Sequence, residues 1–200
     1  MATHAWRQNY TKGKIIVEQA PQLYIDLDVE SDGIAGHGSL LSIGAVTPGG
    51  DTFYKELCPT SDVWIAGNRE FCETHNLERN RLLREGVMPH DAVKELDMWV
   101  RGMSREYGKR TAVLVAFNAS YDFPLIDLEF KRANIPTPFG IAGYCVKSLA
   151  AAVAPGYDWS FTAKHNLPSD VLPDDDFTHN ALEDAIYQQK LHFALIGRGH

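Results

Sequence analysis

The chain has 200 residues, of which 44% are hydrophobic and 22% charged, and carries a formal net charge of −7. That length suits one domain with a full core, and no apolar run approaches the ~20 residues that span a bilayer. The acidic balance excludes a protein that coats long duplex DNA through a basic surface. It leaves room for one that grips a nucleic-acid end through metal ions, because carboxylates holding cations add to the acidic total. The first residues are polar, aromatic and basic without an apolar central segment, so the expected location is the cytoplasm. Cys58, Cys72 and Cys145 are odd in number and widely spaced, the pattern of reduced thiols.

In chain order, Leu23, Ile25, Leu27 and Val29 alternate with Tyr24, Asp26, Asp28 and Glu30. A period of two predicts a strand over 23–30 with one buried face and one acidic face. A connection containing Gly33, Gly36 and Gly38 leads to a largely apolar strand over 39–46. Pro48-Gly49-Gly50-Asp51 then turns the chain into a third strand over 52–57. Ala92, Val93, Leu96, Trp99, Val100 and Met103 form one stripe at helical spacing, predicting a helix over 91–103. The run 111–117 (TAVLVAF) reads as a strand covered on both faces. A helix over 121–132 ends at Asn134 and Pro136, and a short strand over 144–146 leads into a helix over 148–153. Residues 155–177 read as loop, and a last helix runs from about 178 to 195 with Ala181, Leu182, Ala185 and Ile186 inward. An antiparallel meander followed by alternating helices and parallel strands is an α/β fold, a mixed five-stranded sheet flanked by helices.

Chemistry is sought first on the acidic face of the first strand. Asp26, Asp28 and Glu30 leave the same face, spread over about 14 Å at the rise of an extended strand. Carboxylates so placed are either hydrated on a solvent-facing sheet or gathered around a divalent cation, and oxygen-only ligation favours Mg²⁺ or Mn²⁺. Asn118 closes the 111–117 strand and Asp122 follows where open sheets place their ligands. Read alone, the same pair is equally a turn and a helix cap. His179 and Asp184 bracket the start of the last helix, with Asp184 on the side of its apolar stripe.

The order Asp28-Val-Glu30-Ser-Asp-Gly33, Asn118-Ala-Ser-Tyr-Asp122, His179-Asn-Ala-Leu-Glu-Asp184 resembles the DEDD exonucleases, and the histidine their DEDDh branch. Polymerase proofreading subunits, ribonuclease T and oligoribonuclease belong to that branch. Two decoys fail on context: His165 and Asp170 enclose Pro168, which breaks the helix that an H-x4-D pair needs, and Asp127 and Glu129 diverge on a helix. Two positions depart from the usual pattern: Phe117 stands where a histidine is common, and Ser31-Asp32-Gly33 where Thr-Thr-Gly is common.

The resemblance implies a ribonuclease H-like domain over 22–200, with 1–21 an N-terminal extension. It implies four metal ligands, Asp28, Glu30, Asp122 and Asp184, two Mg²⁺ ions about 4 Å apart with Mn²⁺ able to substitute, and His179 as general base. The implied reaction is hydrolysis of the terminal phosphodiester at the 3′ end of single-stranded or 3′-overhanging DNA or RNA, releasing nucleoside 5′-monophosphates. Ser31, Gly33 and Ile34 are expected to flank the terminal nucleotide, with Ile34 as an apolar wedge. By the same token His75 is either a substrate contact or a surface-helix histidine, and Asn118 either touches the substrate or orients Asp122. Tyr157, Trp159 and Phe161 are either base-stacking aromatics or ordinary packing. A homodimer is implied by relatives, and no membrane partner is expected. The rival reading is an inactive nucleic-acid-binding or polymerase-accessory module of the same fold.

Overall fold

The structure is a computed structural model that describes residues 8–11, 14–17, 21–153, 158–175 and 178–198. In the segment read as an extension, β1 (Gln8–Thr11) and β2 (Lys14–Val17) pair antiparallel as a sheet of their own. The main sheet begins with β3 (Gln22–Ser31), β4 (Leu40–Val46) and β5 (Thr52–Glu56), the antiparallel meander that the alternating pattern predicts. Helices α1 (Ala66–Thr74), α2 (Arg79–Glu85) and α3 (Pro89–Glu106) follow. Then come β6 (Thr111–Ala116), α4 (Ala119–Arg132), β7 (Tyr144–Cys145) and α5 (Val146–Val153). Two 3-10 turns, Trp159–Phe161 and Lys164–Asn166, interrupt the segment read as loop, and α6 (Ala181–Arg198) closes the chain. The sheet order is β5-β4-β3-β6-β7, with β6 parallel to both β3 and β7.

Strand β3 is therefore central, and its two faces meet different helices. Leu23, Ile25, Leu27 and Val29 are buried in one core with Val93, Leu96 and Val100 of α3 and Leu125, Ile126 and Phe130 of α4. Burying each of those β3 side chains stabilises the fold by about 2 kcal/mol relative to exposure. The opposite face is covered by α5 and α6, where Val115, Val146, Leu191 and Leu195 form a second core. The acidic face of β3 is thus roofed by α6 rather than open to water.

How α6 comes so close is decided at Gly44. A Cβ there would lie 2.2 Å from backbone atoms of Ala181, so only glycine lets the start of α6 rest on β4. Gly44 is also the cross-strand partner of Asp28. The same contact that packs the helix therefore carries the residues around Ala181 to the acids of β3. Helix α6 starts three residues later than the apolar stripe alone suggests. His179 has φ +60°, which no right-handed helix accommodates. Asn180 then caps, its Oδ1 accepting the backbone N–H of Leu182 at 3.0 Å and Glu183 at 3.3 Å. No helix among the described residues is long and apolar enough to cross a membrane.

Helix α1 agrees with the surface-helix alternative for His75, whereas no sequence pattern announces α2. Each buries one side chain, Cys72 and Leu82 respectively, so neither shows a stripe in sequence.

Candidate active site

The alternating pattern of β3 places Asp28 and Glu30 on the α6 side, two residues apart, and a register shift between Glu30 and Ser31 ends the regular ladder just beyond them. Asp26, the third acid of that face, goes elsewhere. It is fully buried under α6, with Gln188 Nε2 donating to it at 3.2 Å and His192 Nδ1 3.4 Å away. From the carboxyl end of β6, α4 delivers Asp122, whose Oδ1 accepts the N–H of Val29 at 3.3 Å, between the two acids of β3. Asp184, in the first turn of α6, is buried. Its Oδ1 accepts the N–H of Thr178 at 3.2 Å, and its Oδ2 has no partner among the described residues. Ligand atoms of Glu30, His179 and Asp184 lie within 4.8 Å of one another.

Burial and mutual repulsion make this cluster unfavourable as bare anions. Burial pushes Asp28 up to about 7, with Lys164 opposing and Asp184 adding. Glu30 rises to about 9, from burial and then from Asp28 and Asp184. Asp122 is held well above the usual carboxylate range by burial and by Asp28, and Asp184 rises to about 6, chiefly through burial. A divalent cation reverses each of these shifts at once, since it stabilises the charged forms. The donor set is carboxylate oxygen with one imidazole, and Asp184 keeps a buried oxygen with no partner among the described residues. The residues fit Mg²⁺ or Mn²⁺.

His179 sits in the left-handed region, a conformation that costs a non-glycine residue about 1–2 kcal/mol. Its ring lies edge-on to Phe71, centroids 4.5 Å apart, and 4.6 Å from that of His75. His75, at the end of α1, stacks on Phe71 at 4.3 Å and bonds through Nδ1 to the Phe71 carbonyl at 2.7 Å. A carbonyl only accepts, so that nitrogen carries the proton. Burial lowers the pKa of His179, and the positive ends of His75 and Lys164 press it down further.

The other expected contacts divide. Ile34 is 52% exposed just beyond the end of β3. Ser31 is buried and spends its hydroxyl within the turn, accepting from Gly33 N and donating to Gly33 O, each at 3.1 Å. Gly33 must be glycine, because a Cβ would sit 1.9 Å from the His37 carbonyl, and Tyr121 donates to its carbonyl at 3.1 Å. Asn118 acts through its backbone, accepting from Tyr121 N at 2.7 Å to start α4, while its Oδ1 takes the Ser120 hydroxyl at 2.7 Å. Trp159 is exposed with the Lys147 ammonium over its ring at 4.0 Å, whereas Tyr157 and the Phe161 side chain lie outside the described residues. The decoy acids are engaged in ion pairs along α4, Asp127 with Lys131 and Glu129 with Arg132.

Two participants had no signal in sequence. Phe71 belongs to a helix without a stripe. Lys164, in a 3-10 turn, reaches the cluster with Nζ 3.8 Å from Asp28 Oδ1.

A mixed sheet with this acid cluster and a histidine at the start of the last helix defines the DEDDh 3′–5′ exonucleases. More narrowly, the chain belongs to the family described as the 3′-5′ exoribonuclease Rv2179c-like domain, whose model matches residues 23–196. It is 33% identical over 180 residues to the 3′-5′ DNA exonuclease Cap18 of Escherichia coli, covering 88% of this chain and 92% of that protein. Solved structures agree on the fold. The nuclease domain of 3′hExo, a DEDDh family member bound to rAMP, superposes with a TM-score of 0.68 at 12% identity, over 88% of this chain and 92% of the other. Pop2p of S. pombe, in its Mg²⁺- and Mn²⁺-bound form, gives 0.60 at 13% identity, over 92% and 83%. The chain is a 3′–5′ exonuclease, and the inactive-module reading gives way.

Proposed function

We propose that this exonuclease removes nucleoside 5′-monophosphates one at a time from the 3′ end of a single strand or 3′ overhang, with two divalent ions held by Asp28, Glu30, Asp122 and Asp184. The observation that carries the reading is the convergence of Glu30, Asp184 and His179 within 4.8 Å, with a buried Asp184 oxygen left unpartnered among the described residues. Mg²⁺ ions bound there, or Mn²⁺ in their place, supply a water of lowered pKa and offset charge on the phosphate. The Pop2p structure with both metals is in keeping with that choice.

His179 is neutral at pH 7, because its pKa is pressed below the ordinary 6.5, so it can take the proton of the attacking water. Water adds to the terminal phosphorus, the 3′ oxygen of the preceding nucleotide leaves, and the phosphate departs on the 5′ oxygen of the released nucleotide. His75 and Phe71 hold the His179 ring in place. Exposed Ile34 packs against the terminal base, and the Ser31–Gly33 turn shapes the backbone beside it. The net charge is negative, which favours a strand end over a long duplex. A cytoplasmic location fits Cys58, Cys72 and Cys145 all standing as thiols.

The family is described as acting on RNA and the Escherichia coli relative on DNA. One assay tests the reaction and ranks the sugars. Matched 5′-labelled DNA and RNA oligomers are incubated with Mg²⁺, Mn²⁺ or EDTA, beside Asp28→Ala. The expected result is a ladder shortening by single nucleotides that vanishes in EDTA and with Asp28→Ala. Shortening that persists in EDTA refutes the two-ion reading.

A further inference from the structure

Lys164 is the one cation that the described residues place among the four acids. It comes from a 3-10 turn far from every sequence motif, and its side chain is only 15% exposed. Its Nζ lies 3.8 Å from Asp28 Oδ1 and 5.5 Å from the centre of the Phe117 ring. That separation from Asp28 exceeds the 2.7–3.2 Å of a hydrogen bond, so Asp28 holds the ammonium as an ion pair and not through a directed bond. A four-carbon stem lets such a point charge swing while its base stays fixed.

We propose that Lys164 is a catalytic residue of this exonuclease: its ammonium neutralises Asp28 before the divalent ions load, then turns to a non-bridging oxygen of the scissile phosphate. The proposal rests on the two-ion reading above. Two divalent ions balance the charge of Asp28, Glu30, Asp122 and Asp184, so ions and acids together bring no net positive charge to meet the further negative charge of the transition state. The phosphate gains negative charge as water adds, so the step is favoured by a cation supplied in addition to the ions. Lys164 is placed to supply it. Phe117, where relatives often have histidine, offers that ammonium an aromatic face instead of a competing base.

Two consequences follow, with opposite signs. Without nucleic acid, Lys164 competes with the ions for Asp28, so Lys164→Met binds Mn²⁺ more tightly, by roughly tenfold for one charge removed at this range. With nucleic acid and saturating ions, the same variant loses kcat by about 10²- to 10³-fold, while KM for the oligomer changes little. Lys164→Arg keeps the charge and retains the larger part of the rate. Mn²⁺ binding is read by calorimetry or paramagnetic resonance on the nucleic-acid-free protein, and rates are read on 5′-labelled oligomers. Circular dichroism checks the fold, and Lys164→Gln replaces Lys164→Met if the latter does not fold.

Tighter Mn²⁺ binding together with a fallen kcat supports the proposal. Wild-type kcat in Lys164→Met at saturating ions overturns it, as does a rise in KM with kcat intact, which assigns Lys164 to strand binding. Equal loss in the Arg and Met variants also overturns it. If wild-type cleavage proves indifferent to EDTA, the two-ion reading falls first; if it needs the ions and Lys164→Met matches it, only the assignment of Lys164 fails.

Discussion

Replacing Asp184 by asparagine should stabilise the metal-free protein while abolishing cleavage. The carboxyl is buried, has one oxygen without a partner among the described residues and is raised from 3.8 to about 6, mainly by burial. A group raised in the folded state contributes most below its unfolded pKa, and that contribution is lost as pH climbs through about 6. At pH 8 the ionised carboxyl therefore costs about 3 kcal/mol, at 1.36 kcal/mol per pKa unit. Asparagine removes the charge and relieves Glu30 and Asp28, which Asp184 pushes upward. It also buries an amide N–H that must find an acceptor, which offsets about 1–2 kcal/mol of the gain. The net expectation in EDTA at pH 8 is about 1–2 kcal/mol, or a melting temperature higher by roughly 2–8 °C in a protein of this size. Adding Mg²⁺ should raise the wild type and leave Asp184→Asn nearly unmoved, since one ligand is gone. The assay is thermal unfolding followed by circular dichroism at pH 5 and pH 8, each with EDTA and with Mg²⁺. At pH 5 the two proteins should differ less, because the wild-type carboxyl is then largely protonated. An asparagine variant that melts below the wild type in EDTA at pH 8 refutes the view that these acids are strained without a cation.

The remaining expectations concern the histidines and the helix contact. His179→Ala should lower kcat by about 10²- to 10⁴-fold in labelled-oligomer assays while the fold melts normally, as befits loss of a general base. In the wild type, the acid limb of the kcat profile should fall below pH 6.5, since burial, His75 and Lys164 all lower His179. His75→Ala should move that limb upward, because it removes a repelling group and admits water; an unmoved limb separates His75 from the chemistry. Gly44→Ala forces a Cβ to within 2.2 Å of the Ala181 backbone. It should cost about 1–3 kcal/mol in denaturant unfolding and depress kcat as well, because α6 carries Asp184.

Those expectations also show why some of the site is legible in sequence and some is not. Asp28 and Glu30 are legible because a strand's period of two fixes which face they share, whatever packs there. Asp122 and Asp184 are legible because each follows a helix start at short range. What local pattern cannot report is the arrival of distant chain. Helix α1 buries Cys72 alone and so shows no stripe, yet it carries Phe71 and His75 to His179. It is held there by tertiary contacts, Ile65 N donating to the Asp32 carbonyl at 2.8 Å and Cys72 Sγ to the Ser31 carbonyl at 3.5 Å. The start of α6 lies later than its stripe suggests for the reverse reason: the apolar stripe favours an earlier start, but Asn180 caps and His179 turns left-handed, and that turn brings the imidazole toward Glu30. Asp32 illustrates how adjacency misleads. It stands two residues beyond Glu30, yet it is buried away from the cluster, accepting Ser39 N at 2.6 Å and pairing with Arg79 at 3.4 Å. Both its oxygens are met by protein, whereas the buried Asp184 Oδ2 has no protein partner among the described residues. The distinction between Asp32 and Asp184 is therefore whether the fold supplies a polar partner for both carboxylate oxygens or leaves one of them to a cation from solution.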